Sequence, residues 1–206
     1  MRFKDELFNK WFLTRVDHRE HKLKLIQLFK QFGLEVIYVS DLVKCREASI
    51  LELNVGMEIF TKIMEKRFLR NFFNDVLHAS IDKFLTSYYK SSTYRVKIID
   101  KYVIFGKPDL YTRNGYPVEI KFCFSNITKP LRSWKIQTQL YAWLCNKEKG
   151  KLIIIRQGKV IHEKWYKSMS DEEVIKWVKE WETKIPLWSN ECGKCDFNEI
   201  CELKKK

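Results

Sequence analysis

Apolar positions recur at near-helical intervals through the first part of the chain: Leu7, Phe8, Trp11 and Phe12, then Leu23, Ile26, Leu28 and Phe29. Such spacing predicts helices that bury one face in a core. Gly33 ends the second of them and residues 36–39 read as a short extended stretch. Ser40-Asp41 is a helix-start signal that puts Cys45 within the first turns of the next helix. Further helices are predicted over about 57–73 and 79–89. At Ser91-Ser92 the pattern changes to that of strands. Residues 95–99 and 101–111 read as successive hairpin arms, Asn114-Gly115 is a turn dipeptide, and 116–122 continues the sheet, so three neighbouring antiparallel strands are expected. Pro130 introduces an amphipathic helix over about 131–146, with Trp134, Gln137, Tyr141 and Leu144 on one face. Residues 151–157 and 160–166 form a hairpin around Gly158. Ser170 and Glu173 make a capping box for a helix reaching about Lys184, and a cysteine-bearing tail follows from Pro186.

With 206 residues the chain suits one domain, read as a helical part over 1–90, a core over 91–185 and a tail over 186–206. Apolar residues at 45% and aromatics at 15% exclude a disordered chain. No apolar run approaches the roughly 20 residues that span a bilayer, so the sequence reads as soluble, cytoplasmic and without a membrane partner. Charge sharpens this picture. Thirty-nine basic against 26 acidic residues leave +13, an excess that favours a polyanion over a merely solvated lysine surface.

The densest chemistry lies in Gly106-Lys107-Pro108-Asp109 and Glu119-Ile120-Lys121. Spacing of two puts Glu119 and Lys121 on one face of a strand. A three-residue loop, Arg113-Asn114-Gly115, with Gly115 left-handed, would pair Thr112 with Tyr116 and set Asp109 opposite Glu119; a two-residue turn would send Asp109 to the other face. Facing carboxylates repel unless a cation intervenes, and hard oxygen ligands suit Mg²⁺ or Mn²⁺. With Lys121 beside them, the reaction implied is phosphodiester hydrolysis. The bland alternative is a surface strand with a Glu119–Lys121 salt bridge.

Cys192, Cys195 and Cys201 form C-x2-C-x5-C, and Cys45 offers a distant fourth thiolate. Four thiolates suit zinc or an iron–sulfur cluster, either of which would clasp the tail to the helical part. Cys123 and Cys145 read as packing residues. Lys62, Lys66, Arg67 and Arg70 suggest a basic stripe, with Lys129, Arg132 and Lys135 ahead of the Gln137 helix. Tyr88, Tyr89, Tyr94, Trp134 and Trp143 are candidate stacking faces, so single-stranded DNA is favoured over duplex.

Taken in order, Gly106-Lys107-Pro108-Asp109, Val118-Glu119-Ile120-Lys121 and Gln137 with Tyr141 resemble the motifs of RecB-like PD-(D/E)xK nucleases. With Tyr38 to Cys45 and the three tail cysteines, the chain is similar to the CRISPR-associated four-cysteine exonuclease family and its archaeal viral homologues. The resemblance implies an α/β (α+β), restriction-endonuclease-like core with a mixed sheet flanked by helices. It implies metal held at Asp109, Glu119 and Ile120, Lys121 as the catalytic lysine, and Gln137 and Tyr141 contacting the site. It favours a 4Fe–4S cluster over zinc, with CRISPR integration or replication proteins as partners and an oligomer among the possible states. The family's further metal ligand is a His four residues after a glycine in an early helix. The matching stretch from Gly56 puts Phe60 there, with Glu58, Glu65 and His78 as stand-ins under another alignment. The alternative functions are therefore a non-catalytic, cluster-bearing DNA-binding or adaptor protein, and a zinc-stabilised structural module.

Overall fold

Two sheets organise the chain, which a computed structural model describes at residues 2–85, 89–123, 129–184, 186–188 and 191–203. Helix α1 (Arg2–Lys30) leads through strand β1 (Glu35–Tyr38) to helices α2 (Arg46–Asn54) and α3 (Met57–Leu85). Strands β2 (Tyr89–Ser91), β3 (Arg95–Ile99), β4 (Tyr102–Gly106), β5 (Leu110–Thr112) and β6 (Pro117–Phe122) follow, then helix α4 (Arg132–Leu144). Strands β7 (Lys149–Arg156) and β8 (Lys159–Lys167), helix α5 (Asp171–Thr183) and a single helical turn, Cys192–Lys194, complete the order. The sheets run β1-β4-β3 and β2-β5-β6-β7-β8, a mixed α+β architecture. Among the described residues no helix is long and apolar enough to cross a membrane.

Three neighbouring antiparallel strands are not what forms. The run expected over 101–111 breaks at buried Pro108, which has no N–H to give a ladder. Strand β4 joins β1 in parallel and β3 antiparallel, whereas β5 pairs with β6 in the other sheet. Strands β6 and β7 are parallel because α4 carries the chain back between them. That burial on both faces explains the unbroken apolar run Leu152, Ile153 and Ile154. Helix α3 is continuous where two helices were expected, since residues 74–78 contain neither glycine nor proline to end it. It is also tied at Asp75, which accepts from Trp11 Nε1 at 2.9 Å and pairs with Arg15.

The largest core cluster joins β1 and β4 to α4 and α5 through Ile37, Ile104, Leu140, Leu144, Val174 and Val178. The expected capping box is present, with Ser170 Oγ accepting from Glu173 N–H at 3.2 Å. A second cluster packs Trp11 of α1 against Phe60, Ile63, Met64 and Phe68 of α3 and Phe197 of the tail. Close approach of α4 to the five-stranded sheet depends on Gly150, where a Cβ would lie 2.7 Å from the Thr138 carbonyl oxygen. Because that neighbour is backbone, Gly150→Ala is expected to cost about 1–3 kcal/mol of stability, measurable as a lowered midpoint in urea unfolding.

Candidate active site

The loop after β5 fixes the site. Gly115 is left-handed at φ +76°, Thr112 N–H donates to the Tyr116 oxygen at 2.9 Å, and Leu110 pairs with Val118. One step further along this register Asp109 faces Glu119. Asp109 Oδ2 accepts from the Ile120 N–H at 2.6 Å. Lys121 Nζ is 2.6 Å from Glu119 Oε1, and His78 Nδ1, on α3, is 3.4 Å from Asp109 Oδ1. From α4, buried Gln137 donates to the Tyr141 hydroxyl at 3.3 Å. Gly106 lets Tyr141 approach, since a Cβ there would come within 2.8 Å of its ring.

Burial dominates the electrostatics. It pushes the Glu119 carboxyl up to about 7, with the Asp109 charge adding to the rise and Lys121 and His78 opposing it. Asp109 is raised by burial as well, against the pull of Lys121 and the Ile120 N–H. Burial works against the Lys121 ammonium, yet Glu119 and Asp109 together hold it above its usual range. The Tyr141 phenol is raised by burial and then by Glu119, so its hydroxyl lies within the field of the carboxylates. Burial lowers the His78 imidazole and keeps it a neutral potential ligand.

A groove of about 340 Å³ opens at Asp109, lined also by His78, Ser92, Lys107 and Ile120. Glu119 lies deeper, its side chain 4% exposed against 27% for Asp109. The donors suit a hard divalent cation in kind, two carboxyl groups and an imidazole around shared negative charge. Among the described residues no three His, Cys, Asp or Glu groups converge as a finished cage; the Lys121 ammonium and the Ile120 N–H hold the two acids instead.

The alignment through Gly56 leads away from this site. Phe60 is 2% exposed inside the helical core, Glu58 pairs with Lys62 at 2.7 Å and Glu65 faces solvent. The imidazole beside Asp109 is that of His78, farther along the same helix, held edge-on to Phe122 with ring centroids 5.1 Å apart.

Cys45, Cys192, Cys195 and Cys201 line one pocket, together with Ala48, Leu51 and Glu191. Cys45 does not lie within a helix as expected. It is the residue before α2, because Asp41 spends its carboxylate on Lys22 and Lys44 and leaves residues 39–44 as turns. Burial raises the Cys45 thiol, while the N–H groups of Ala48 and Glu47 favour its thiolate. Nothing in the motif reading foretold how this segment is gripped. The indole N–H groups of Trp177, Trp188 and Trp181 donate to the consecutive carbonyls of Leu42, Val43 and Lys44 at 2.9, 3.0 and 3.0 Å. Glu191 accepts from the N–H groups of both Cys45 and Trp188. The spacing of four between Trp177 and Trp181, on one face of α5, was the available signal.

Of the residues expected to hold nucleic acid, several are committed elsewhere. Arg67 pairs with Asp196 at 2.6 Å and Glu52 at 3.3 Å, Lys66 with Glu199 at 3.4 Å, and Lys62 with Glu58. The pairs of Arg67 and Lys66 tie α3 to α2 and the tail. The Arg70 side chain and all of Tyr88 lie outside the described residues. Arg132 is exposed beside the rings of Trp177 and Trp188, Lys135 is half-buried and Lys129 exposed. Trp134 and Trp143 belong to the core, whereas Tyr94 is 59% exposed. Cys123 is buried against Leu152 and Ile154, and Cys145 Sγ lies 3.5 Å from the Tyr111 hydroxyl.

No family model matches the chain. It is 25% identical over 180 residues to the CRISPR-associated exonuclease Cas4 of Saccharolobus solfataricus, a match covering 82% of this chain and 88% of the relative. The crystal structure of SSO0001 superposes with a TM-score of 0.72 at 24% identity, covering 83% of this chain and 88% of that one, a likeness of fold. The chain is thus similar to that exonuclease over most of both lengths and shares a mixed α+β fold with SSO0001.

Proposed function

We propose that this chain is a Mg²⁺- or Mn²⁺-dependent deoxyribonuclease that hydrolyses phosphodiester bonds of single-stranded DNA. It would carry a structural 4Fe–4S cluster on Cys45, Cys192, Cys195 and Cys201 and serve CRISPR adaptation or viral DNA processing, in company with integration or replication proteins. The observation that carries this reading is the meeting of Asp109, Glu119 and Lys121 on neighbouring strands, with Asp109 reaching an open groove, in a chain similar to an exonuclease. The adaptor reading rests on Phe60, and His78, 3.4 Å from Asp109, supports the catalytic reading against it.

Asp109 and Glu119, with Ile120 and the nearby His78, would hold a divalent ion, which would supply Lewis-acid chemistry when bound. The chain's own groups do the remainder. Lys121 brings a fixed positive charge to the place where negative charge develops on the attacked phosphate. Tyr141 and Gln137 hold the α4 side of the site, and Lys107 and Ser92 at the groove mouth suit phosphate oxygens. Incubating end-labelled single-stranded and duplex DNA with Mn²⁺, Mg²⁺ or EDTA tests the reading. Faster loss of the single strand, abolished by EDTA, is expected; metal-independent or absent cleavage sinks it.

The cluster assignment is supported by four thiols lining one pocket, a ligand number that suits a thiolate-bound cluster as it does zinc, and by the resemblance to the four-cysteine exonucleases. Protein purified without oxygen is expected to be brown and to contain iron. Cys195→Ser should lose that iron and melt at lower temperature, because the tail is then no longer clasped to α2. Stoichiometric zinc in the wild-type protein would overturn the assignment.

A further inference from the structure

We propose that the outer face of the five-stranded sheet, opposite the catalytic carboxylates, is a second contact for single-stranded nucleic acid, built on Trp165, Tyr116 and three lysines. The proposal rests on the nucleic-acid reading above and adds a place where the strand is held away from the site. Side chains alternate across a strand. Glu119 is level with Leu152, whereas the adjacent row joins Val118, Lys151 and Trp165, so Lys151 and Trp165 project from the face that Glu119 does not use. Tyr116 and Lys149, each two residues farther along its strand or its approach, share that face.

The groups are in mutual contact. The Tyr116 and Trp165 rings meet edge-on at 5.6 Å between centroids. The Lys149 ammonium lies 5.5 and 5.1 Å from the two ring centroids, Lys147 lies 5.2 Å from Tyr116 and Lys151 lies 5.4 Å from Trp165. Trp165 is 39% exposed on β8, an edge strand. The nearby acids are partly spent: Glu148 accepts from the Tyr116 hydroxyl at 2.7 Å, and Glu163 pairs with Lys151.

An exposed indole held among ammonium groups offers what an unpaired strand presents in alternation, a base to stack and a phosphate to neutralise. A protein partner is the less apt occupant, since interface cores are depleted of lysine. The +13 charge of the chain points the same way.

Fluorescence anisotropy with labelled oligothymidylate of about 20 nucleotides, in EDTA so that nothing is cleaved, tests the proposal. Trp165→Ala is expected to weaken binding about ten-fold, with Trp165→Phe retaining most of the affinity. The double variant Lys147→Ala, Lys149→Ala is expected to lower the slope of log K against log salt by about 1.4. Hydrolysis of a chromogenic mononucleotide ester, too short to reach this face, should be unchanged by Trp165→Ala. Equal binding by Trp165→Ala and wild type, at equal melting temperature, overturns the platform. So does a wild type that does not bind, or a Trp165→Ala variant that changes only the sedimentation behaviour. A wild type that binds but never cleaves with Mn²⁺ leaves the platform standing and removes the nuclease reading alone.

Discussion

Lys121→Ala is expected to reduce Mn²⁺-dependent cleavage of single-stranded DNA by about 10²–10³-fold, the scale on which a preorganised charge at a developing anion acts. Asp109→Ala should lose at least as much, because it removes the acid that faces the groove. Neither substitution should unfold the protein. Taking one partner from a buried ion pair is ordinarily costly, as the remaining charge is stranded. Here Glu119 already titrates at about 7 and can take a proton once the ammonium is gone, and Asp109→Ala removes a repulsion. Single-turnover cleavage assays alongside thermal melts near pH 6.5 would check both halves. Unchanged cleavage in Asp109→Ala would end the claim that these strands form the catalytic site. A collapsed melting temperature would show that the groups are structural instead.

The parts of this site that could be read from residues alone are those fixed by local geometry. A left-handed Gly115 closes a three-residue loop, and period two then carries Asp109 to Glu119 and Glu119 to Lys121 without reference to the rest of the molecule. The same holds for the helix that brings Gln137 and Tyr141, whose spacing of four needs no tertiary knowledge. What escaped the sequence depends on distant pairing. Parallel pairing of β4 with β1 and of β6 with β7 is set by which apolar faces meet, and alternation along a strand carries no information about its neighbour's direction. His78 stood with Glu58 and Glu65 as one of three stand-ins, and only the placing of α3 beside β6 separates it from them. The Cys45 approach was misread because Ser40-Asp41 has the composition of a cap, while buried Lys22, far back in the chain, claims the aspartate. Likewise Arg67 of the expected basic stripe meets Glu52 of α2 and Asp196 of the tail, contacts that no helical wheel displays.

The buried carboxyl pair also dictates how stability depends on pH. Folded Glu119 keeps its proton up to about 7, whereas the unfolded side chain releases it near 4.5. Between those values the folded state binds the extra proton, so its contribution to stability is present at the acid end and lost as pH rises through the window. The loss is on the order of 3 kcal/mol, and Asp109, raised in the same direction, adds to it. Buried carboxylates elsewhere oppose this trend: Asp41 and Glu52 are lowered despite burial, with Lys44 first among the groups responsible, and they lose stability as the solution is acidified. The informative quantity is therefore the difference between wild type and Glu119→Gln. Without metal, the variant is expected to gain relative to wild type between about pH 5 and about pH 8. Mn²⁺ should reverse the sign by binding the folded, ionised pair, raising the wild-type melting temperature at the alkaline end and scarcely at the acid end. Asp109→Ala should lose most of that increase. Parallel pH profiles for wild type and Glu119→Gln, with no Mn²⁺ response at either end, would mean that the two acids neither repel one another nor seat a cation.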